Sequence, residues 1–259
     1  MKQVFKTVNL LAAGVQLLGD LKGPLLNFKN NVRRNRNDPS PKYKQLFTPE
    51  MINKAYLNPA LQLKNFGHFI IVNARYTAVA AVQGNTSKTR KTVVLEFKEN
   101  RAMSIDDILQ LLSTYPAATL SVNDNGEGKF LGQLLKKNGI WYMPVHWGGN
   151  CFSNDNRKEY VNKRAQSYAC LSYAVNTYSF KICQPHNNEK VLKELKSIRY
   201  SFDERSRFRI MPVSEMREIG LDVPDIADLF AQIFLEGTAY SLELNSPDLS
   251  TPANNTQSD

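Results

Sequence analysis

Apolar residues repeat with two different periods along this chain of 259 residues. Between residues 4 and 18, valine and leucine recur at spacings of four and three, which places them on one face of an α-helix. The following residues are rich in Asn, Pro, Lys and Arg, a composition that disfavours regular structure. We therefore expect an amphipathic helix within residues 1–26 and an exposed basic arm or linker over 27–47.

A second pattern, of β-branched and aromatic residues, predicts strands. It is clearest in residues 68–82 and 92–98, which flank a polar loop over 84–91 that carries three basic residues. Further strands are expected at residues 120–123, at 140–146, at 168–183 (one long aromatic strand, or two) and at 198–211 (a hairpin).

Capping residues and helical spacing predict the helices. Ser104 followed three residues later by Asp107 forms a capping box, and Thr48 before Pro49 is typical of a helix start. Helices are expected at residues 48–57, 104–113, 154–166, 189–197 and 224–235.

Strands and helices are intermixed without a regular alternation, so the sequence predicts an α+β fold with a mainly antiparallel sheet and several helices. The body is expected over residues 48–244, with a possible internal boundary near 150–155. Residues 245–259 are expected to form a disordered acidic tail. No run of about 18 apolar residues is present, so we expect no membrane span.

The charge is distributed unevenly along the chain, whose overall net charge is +9. From Glu215 onward there are nine acidic residues and one basic residue, a net charge of −8. The preceding 214 residues therefore carry +17. A body this basic attracts polyanions, of which nucleic acid is the commonest, and an acidic end can compete for the same surface or dock a partner.

Three basic segments are candidates for binding nucleic acid. Alternation in the hairpin over 198–211 places its arginines on one face, where forked guanidinium groups suit phosphate. Basic and aromatic residues interleave over 157–181, where tyrosine could stack bases. The loop over 84–91 could follow a phosphate backbone. The alternative for each is structural: a solvated strand face, core tyrosines and a solvated loop. The expected binding residues are Lys88, Arg90, Lys91, Arg157, Lys158, Tyr160, Lys163, Arg164, Arg199, Arg207 and Arg209.

Three cysteines are too few, and odd in number, for a secreted disulfide framework, which favours a reducing, intracellular setting. Cys151, Cys170, Cys183 and His186 could form a zinc site, but only the last two have the spacing of a ligand pair. Buried cysteines are the favoured alternative. We expect no metal or other cofactor and assign no catalytic residue, because no carboxylate cluster or credible nucleophile stands out.

The sequence therefore predicts an intracellular, non-enzymatic protein that binds nucleic acid, DNA or RNA, with single strands favoured. Its charge layout is similar to that of phage and plasmid single-strand-binding proteins. The acidic segment is expected to dock a protein partner, and the chain could form a homo-oligomer. The alternative is a structural or assembly protein, such as a viral or phage component, in which the N-terminal helix and basic arm make subunit contacts.

Overall fold

A computed structural model describes residues 43–56, 58, 61–100, 104–126, 128–183 and 188–240. The expected N-terminal helix, most of the basic arm and the acidic tail lie outside these residues. Within them the order is β1 (Lys44–Gln45), α1 (Pro49–Tyr56), β2 (Gly67–Val72), β3 (Tyr76–Gln83), β4 (Lys91–Glu99), α2 (Ile105–Thr114), β5 (Thr119–Asn123), α3 (Gly128–Lys137) and β6 (Met143–Val145). There follow α4 (Asn154–Glu159), α5 (Lys163–Asn176), β7 (Phe180–Ile182), α6 (Asn188–Ser197), β8 (Arg199–Phe202), β9 (Phe208–Ile210), α7 (Val213–Glu218) and α8 (Asp225–Gln232).

Six of the strands form one mixed sheet in the order β6-β5-β2-β3-β4-β7. β2, β3 and β4 run antiparallel as a meander, whereas β5 joins β2, β6 joins β5 and β7 joins β4 in parallel. A smaller sheet, β1-β8-β9, contains the predicted hairpin. The predicted α+β class is confirmed, and the parallel pairs make the main sheet mixed.

The β2 strand is buried along its whole length, which explains why its sequence is a continuous apolar run. Ile70 and Val72 point to one face of the sheet, where they pack with Ile108 of α2 and with Leu131 and Leu135 of α3. On the opposite face, Phe230 of α8 packs edge-on against Phe97 of β4. The sheet is therefore covered by helices on both faces.

Two glycines allow α3 to lie close to the sheet. A Cβ atom on Gly128 would overlap the carbonyl oxygen of Asn123, and one on Gly132 would lie 2.5 Å from the hydroxyl oxygen of Tyr142. A larger residue at Gly128 would push the start of α3 away from the end of β5.

Three predicted elements differ from the structure. The expected strand over 168–183 is helix α5 followed by the short strand β7. α5 is buried on almost every side, so its sequence lacks the polar face that reveals a helix. The expected strand over 68–82 is divided by a turn at residues 73–75, and the expected helix over 154–166 is divided into α4 and α5.

The described part of the chain contains no helix that is both long enough and apolar enough to cross a membrane.

Arg90 provides a test of this architecture. Its side chain is 1% exposed and donates to the backbone oxygens of Ile233 and Thr238, so it ties β4 to the end of α8. We expect Arg90→Leu to lower the free energy of unfolding by about 2–4 kcal/mol, because two buried carbonyls lose their donor. Urea denaturation measures this, with Lys88→Ala, an exposed change in the same loop, as the control. Equal stability of the two variants would contradict the assignment.

Candidate functional site at the carboxyl ends of two parallel strands

An open polar cleft of about 280 Å³ lies where the parallel strands β2 and β5 end. The carboxyl ends of adjacent parallel strands are the usual place for a ligand site in sheets covered by helices, because the chain diverges there. Asn73 directly follows β2, and Asn123 is the last residue of β5. The cleft is lined by Asn73, Ala74, Arg75, Asn123, Asn125, Arg217, Val223, Asp225 and Asp228.

Asn73 is held rigidly by its own turn. Its Oδ1 accepts hydrogen bonds from the backbone N–H groups of Arg75 at 2.9 Å and Tyr76 at 2.7 Å. Its Nδ2 donates to the backbone oxygen of Asp225 at 2.7 Å. This Asx turn ends β2, and the donated bond fixes the start of α8 beside the strand end.

Asn123 and Asn125 form the second polar wall. Asn125 donates to Asn123 Oδ1 from its backbone N–H at 3.3 Å and from its Nδ2 at 2.9 Å. The same Nδ2 lies 3.2 Å from the backbone oxygen of Val145, at the end of β6. The amide oxygens of both strand-end residues therefore already accept hydrogen bonds from within the protein.

The two acidic residues of the cleft come from the first turn of α8, where the helix dipole favours them. Asp225 Oδ2 lies 3.0 Å from a guanidinium nitrogen of Arg75. Burial raises the pKa of Asp225, and Arg75 opposes that shift. The Arg75 side chain is 62% exposed, so this pair is open to water and weak.

The second acid, Asp228, lies in a more enclosed network. Its Oδ1 accepts from Arg164 Nε at 3.0 Å and from the Tyr168 hydroxyl at 2.6 Å. Both donors come from the buried helix α5. Burial alone would lower the pKa of Arg164, but Asp228 and Tyr168 together outweigh it, and the pKa is raised. Burial also raises the pKa of Tyr168 well above its usual value. The hydroxyl therefore stays protonated and donates a hydrogen bond to Asp228.

Glu194 on α6 fixes the position of α8. Its Oε2 accepts from the backbone N–H groups of Ile226 and Ala227, two of the free donors in the first turn of the helix. The residue is 3% exposed, and burial raises the pKa of its carboxyl to about 7. Glu194 acts on the cleft only indirectly, by holding the helix that carries Asp225 and Asp228.

Arg217 is an exposed residue of the cleft lining, with no carboxylate within ion-pair distance among the described residues. Lys129 and Phe130 are exposed on the first turn of α3, which follows Asn125 in the chain but is not part of the lining. Phe130 is 72% exposed. The lining therefore offers two exposed guanidinium groups, those of Arg217 and Arg75.

Most residues expected to bind nucleic acid lie away from this cleft. Arg90, Tyr160 and Arg164 are buried. The three hairpin arginines are engaged within the protein: Arg207 pairs with Asp203, Arg209 pairs with Glu215, and Arg199 donates to backbone oxygens. Of the eleven expected residues, Arg164 reaches the cleft, through Asp228.

The remaining expected residues are distributed over other surfaces. Lys88 and Lys91 lie at the tip between β3 and β4, at the opposite end of the sheet from the cleft, about 25 Å away by strand length. Arg157 donates to the Cys151 oxygen, and Lys158 forms an exposed pair with Asp155. Lys163 lies over the Phe152 ring. A role for these residues in binding nucleic acid stays a prediction.

The strand-end asparagines were missed by the sequence analysis, although a signal exists. Each follows a short apolar run, and an Asn at such a point is typical of a turn. Reading residues 68–82 as a single strand hid the turn at Asn73. Asp228 was counted only among the acidic residues that follow position 214.

The cysteines do not supply a site in the part of the chain that is described. Cys151 and Cys170 are buried, Cys183 is exposed, and all three are free thiols. Burial raises the pKa of Cys151 to about 12, which removes it as a nucleophile near neutral pH. His186 lies outside the described residues.

No protein-family model and no curated protein matches the chain. Solved structures do match it. One is a mutant nuclease domain of the large terminase subunit gp2 of bacterial virus Sf6 with manganese, at 19% identity and a TM-score of 0.54, covering 74% of this chain and 99% of that one. Another is a structure of the nuclease domain of the same subunit, at 17% identity and a TM-score of 0.53, covering 74% of this chain and 98% of that one. The described body shares the fold of these domains.

One of these nuclease domains is described with manganese. Manganese prefers oxygen ligands, carboxylates above all. The described residues contain no group of three or more His, Cys, Asp or Glu side chains that could hold a metal ion. The cleft's acids, Asp225 and Asp228, each form an ion pair with an arginine. The residues present do not fit a manganese ion.

The predicted function is wrong. A non-enzymatic protein that binds single-stranded DNA or RNA was expected, but the described body has the fold of large terminase nuclease domains. The basic composition does not distinguish the two classes of protein, because positive charge attracts DNA equally to a binding protein and to an enzyme that acts on DNA. The viral or phage origin named in the alternative agrees with the source of the matching structures.

Glu194 gives a test of how α8 is held. Its folded pKa of about 7 exceeds the usual 4.5, so the folded state gains protons relative to the unfolded state between these values. The contribution of Glu194 to the free energy of unfolding is therefore complete below pH 4.5, where the carboxyl group is protonated, and it is lost as the pH rises to about 7. That loss amounts to about 3 kcal/mol.

Glu194→Gln keeps an oxygen for both N–H groups and removes the ionisation. We expect urea denaturation to show a smaller fall in stability from pH 5 to pH 8 for this variant than for the unchanged protein. Glu189→Gln, an exposed change on the same helix, serves as the control. An unchanged pH profile in Glu194→Gln would contradict the burial-raised pKa.

Proposed function

We propose that this chain is a DNA-processing protein of the large terminase nuclease type, and that DNA approaches it at the cleft where β2 and β5 end. The observation that carries the proposal is the shared fold, which extends over 99% of a terminase nuclease domain. The cleft at the strand ends adds support, because it is polar, open and formed by three separate parts of the chain.

The side chains that line the cleft have the chemistry that DNA requires. Arg217 and Arg75 line the cleft and are exposed, Arg75 beside its partner Asp225. Guanidinium groups bind phosphate through paired donors. The amides of Asn73, Asn123 and Asn125 make the floor of the cleft polar and uncharged.

The acids that follow position 214 support this location, because among the described residues they leave Arg217 of the cleft lining without an ion pair. Asp222 pairs with Lys193, Glu215 pairs with Arg209, and Glu236 accepts from the backbone of Phe152 and from Asn156. Carboxylates that are engaged elsewhere do not neutralise Arg217. Docking of a protein partner, self-association and an intracellular location remain predictions.

A matched pair of variants tests where DNA binds. Arg75→Glu/Arg217→Glu reverses two exposed cations that line the cleft, and Lys88→Glu/Lys91→Glu reverses two exposed lysines at the opposite end of the sheet. The charge change is identical. We expect the first variant to weaken binding of a short DNA duplex by about tenfold or more and to reduce the log–log salt slope by about two. The second variant should weaken binding less.

Fluorescence anisotropy against salt measures both affinity and slope, and circular dichroism checks that each variant is folded. A larger loss in the Lys88 and Lys91 variant would place DNA at the loop and overturn the cleft assignment. Absence of salt-dependent DNA binding by the unchanged protein would overturn the proposed function itself.

A further inference from the structure

We infer that the strand-end cleft of this chain does not bind divalent cations, and that guanidinium groups supply the positive charge that a metal ion would supply there. The inference deepens the proposed function, since it concerns how the same cleft meets DNA. It rests on the chemistry of the donor groups at four positions: Asn73, Asn123, Asp225 and Asp228.

The two strand ends supply no negative charge. A manganese or magnesium ion needs carboxylate oxygens, and a pair of such ions needs several of them. At the end of β2 and at the end of β5 the cleft instead presents the neutral amides of Asn73 and Asn123. The Oδ1 atom of each accepts two hydrogen bonds from within the protein.

The two carboxylates on α8 are already neutralised. Asp228 is 15% exposed and pairs with Arg164, which is 10% exposed, so this ion pair is enclosed and weakly screened. Asp225 pairs with Arg75 at the mouth. Arg217 adds a further positive charge to the lining. A divalent cation entering the cleft would meet three guanidinium groups. It would also meet two carboxylates, each of which is already paired with one of those guanidinium groups.

The same arrangement explains why the cleft is stable without a metal. Carboxylates placed close together repel one another unless a cation holds them. Here Arg164 and Tyr168 satisfy Asp228, and Arg75 satisfies Asp225. The positive charge that a metal would bring is thus already provided by side chains, and DNA phosphate can meet Arg75 and Arg217 directly.

Manganese binding tests the inference without relying on activity. Electron paramagnetic resonance measures free Mn²⁺ during titration of the full chain. We expect the unchanged protein to bind Mn²⁺ no more tightly than about 1 mM. Asn73→Asp/Asn123→Asp keeps the oxygens that accept the present hydrogen bonds and adds two negative charges at the strand ends. We expect its affinity for Mn²⁺ to rise by about tenfold or more.

The control is Asn138→Asp/Asn176→Asp, which adds the same charge at two exposed asparagines, one directly after α3 and one at the end of α5. Its Mn²⁺ affinity should stay at the level of the unchanged protein. If Asn73→Asp prevents folding because it removes the bond to the Asp225 oxygen, Asn123→Asp alone should still show part of the gain.

Stoichiometric binding of Mn²⁺ to the unchanged protein at micromolar concentration, abolished by Asp228→Asn, would overturn the inference. So would a folded Asn73→Asp/Asn123→Asp variant with no gain over the control. Duplex binding, measured separately with and without EDTA, distinguishes the two proposals: its absence refutes the proposed function and leaves the manganese result standing.

Discussion

The contact between Arg164 and Asp228 is the interaction on which the cleft depends. It joins α5 to α8, two helices that share the core, and its charges are largely removed from water. A buried pair of this kind costs much to break, because either partner left alone would be an uncompensated charge. The Tyr168 hydroxyl completes the network, Glu194 caps the same helix from α6, and the Asn73 amide bonds its first residue. These contacts set where Asp225 and Asp228 stand relative to the strand ends.

The charge asymmetry of the chain has a structural explanation. The acidic residues that follow position 214 are not an independent segment in the described part of the chain. Glu215, Asp222, Asp225, Asp228 and Glu236 fold back and contact cations or amides of the preceding body. The apolar residues between them, such as Phe230, enter the main core. The excess of positive charge therefore remains on cations such as Lys129 and Arg217, where a polyanion can reach it.

Local patterns predicted much of the fold but little of the site. The capping box at Ser104, the hairpin over 198–211 and the helix near Asp225 followed from spacing and side-chain chemistry, and the α+β class followed from them. The helix α5 did not, because burial on almost every side removed its periodicity. The cleft could not be predicted from spacing, since Asn73, Asn123 and Asp228 are far apart in sequence. Parallel pairing of β2 with β5 brings the two asparagines together, and the packing of α8 brings Asp228 to them.

The most direct test is anomalous diffraction from crystals of the chain with a DNA duplex, grown in manganese chloride. The account predicts DNA phosphates in contact with Arg75 and Arg217, the Asp228 carboxylate still bonded to Arg164, and no manganese peak between the ends of β2 and β5. A manganese peak coordinated by Asn73, Asn123 and Asp228, or DNA seated at the loop that carries Lys88 and Lys91, would contradict it.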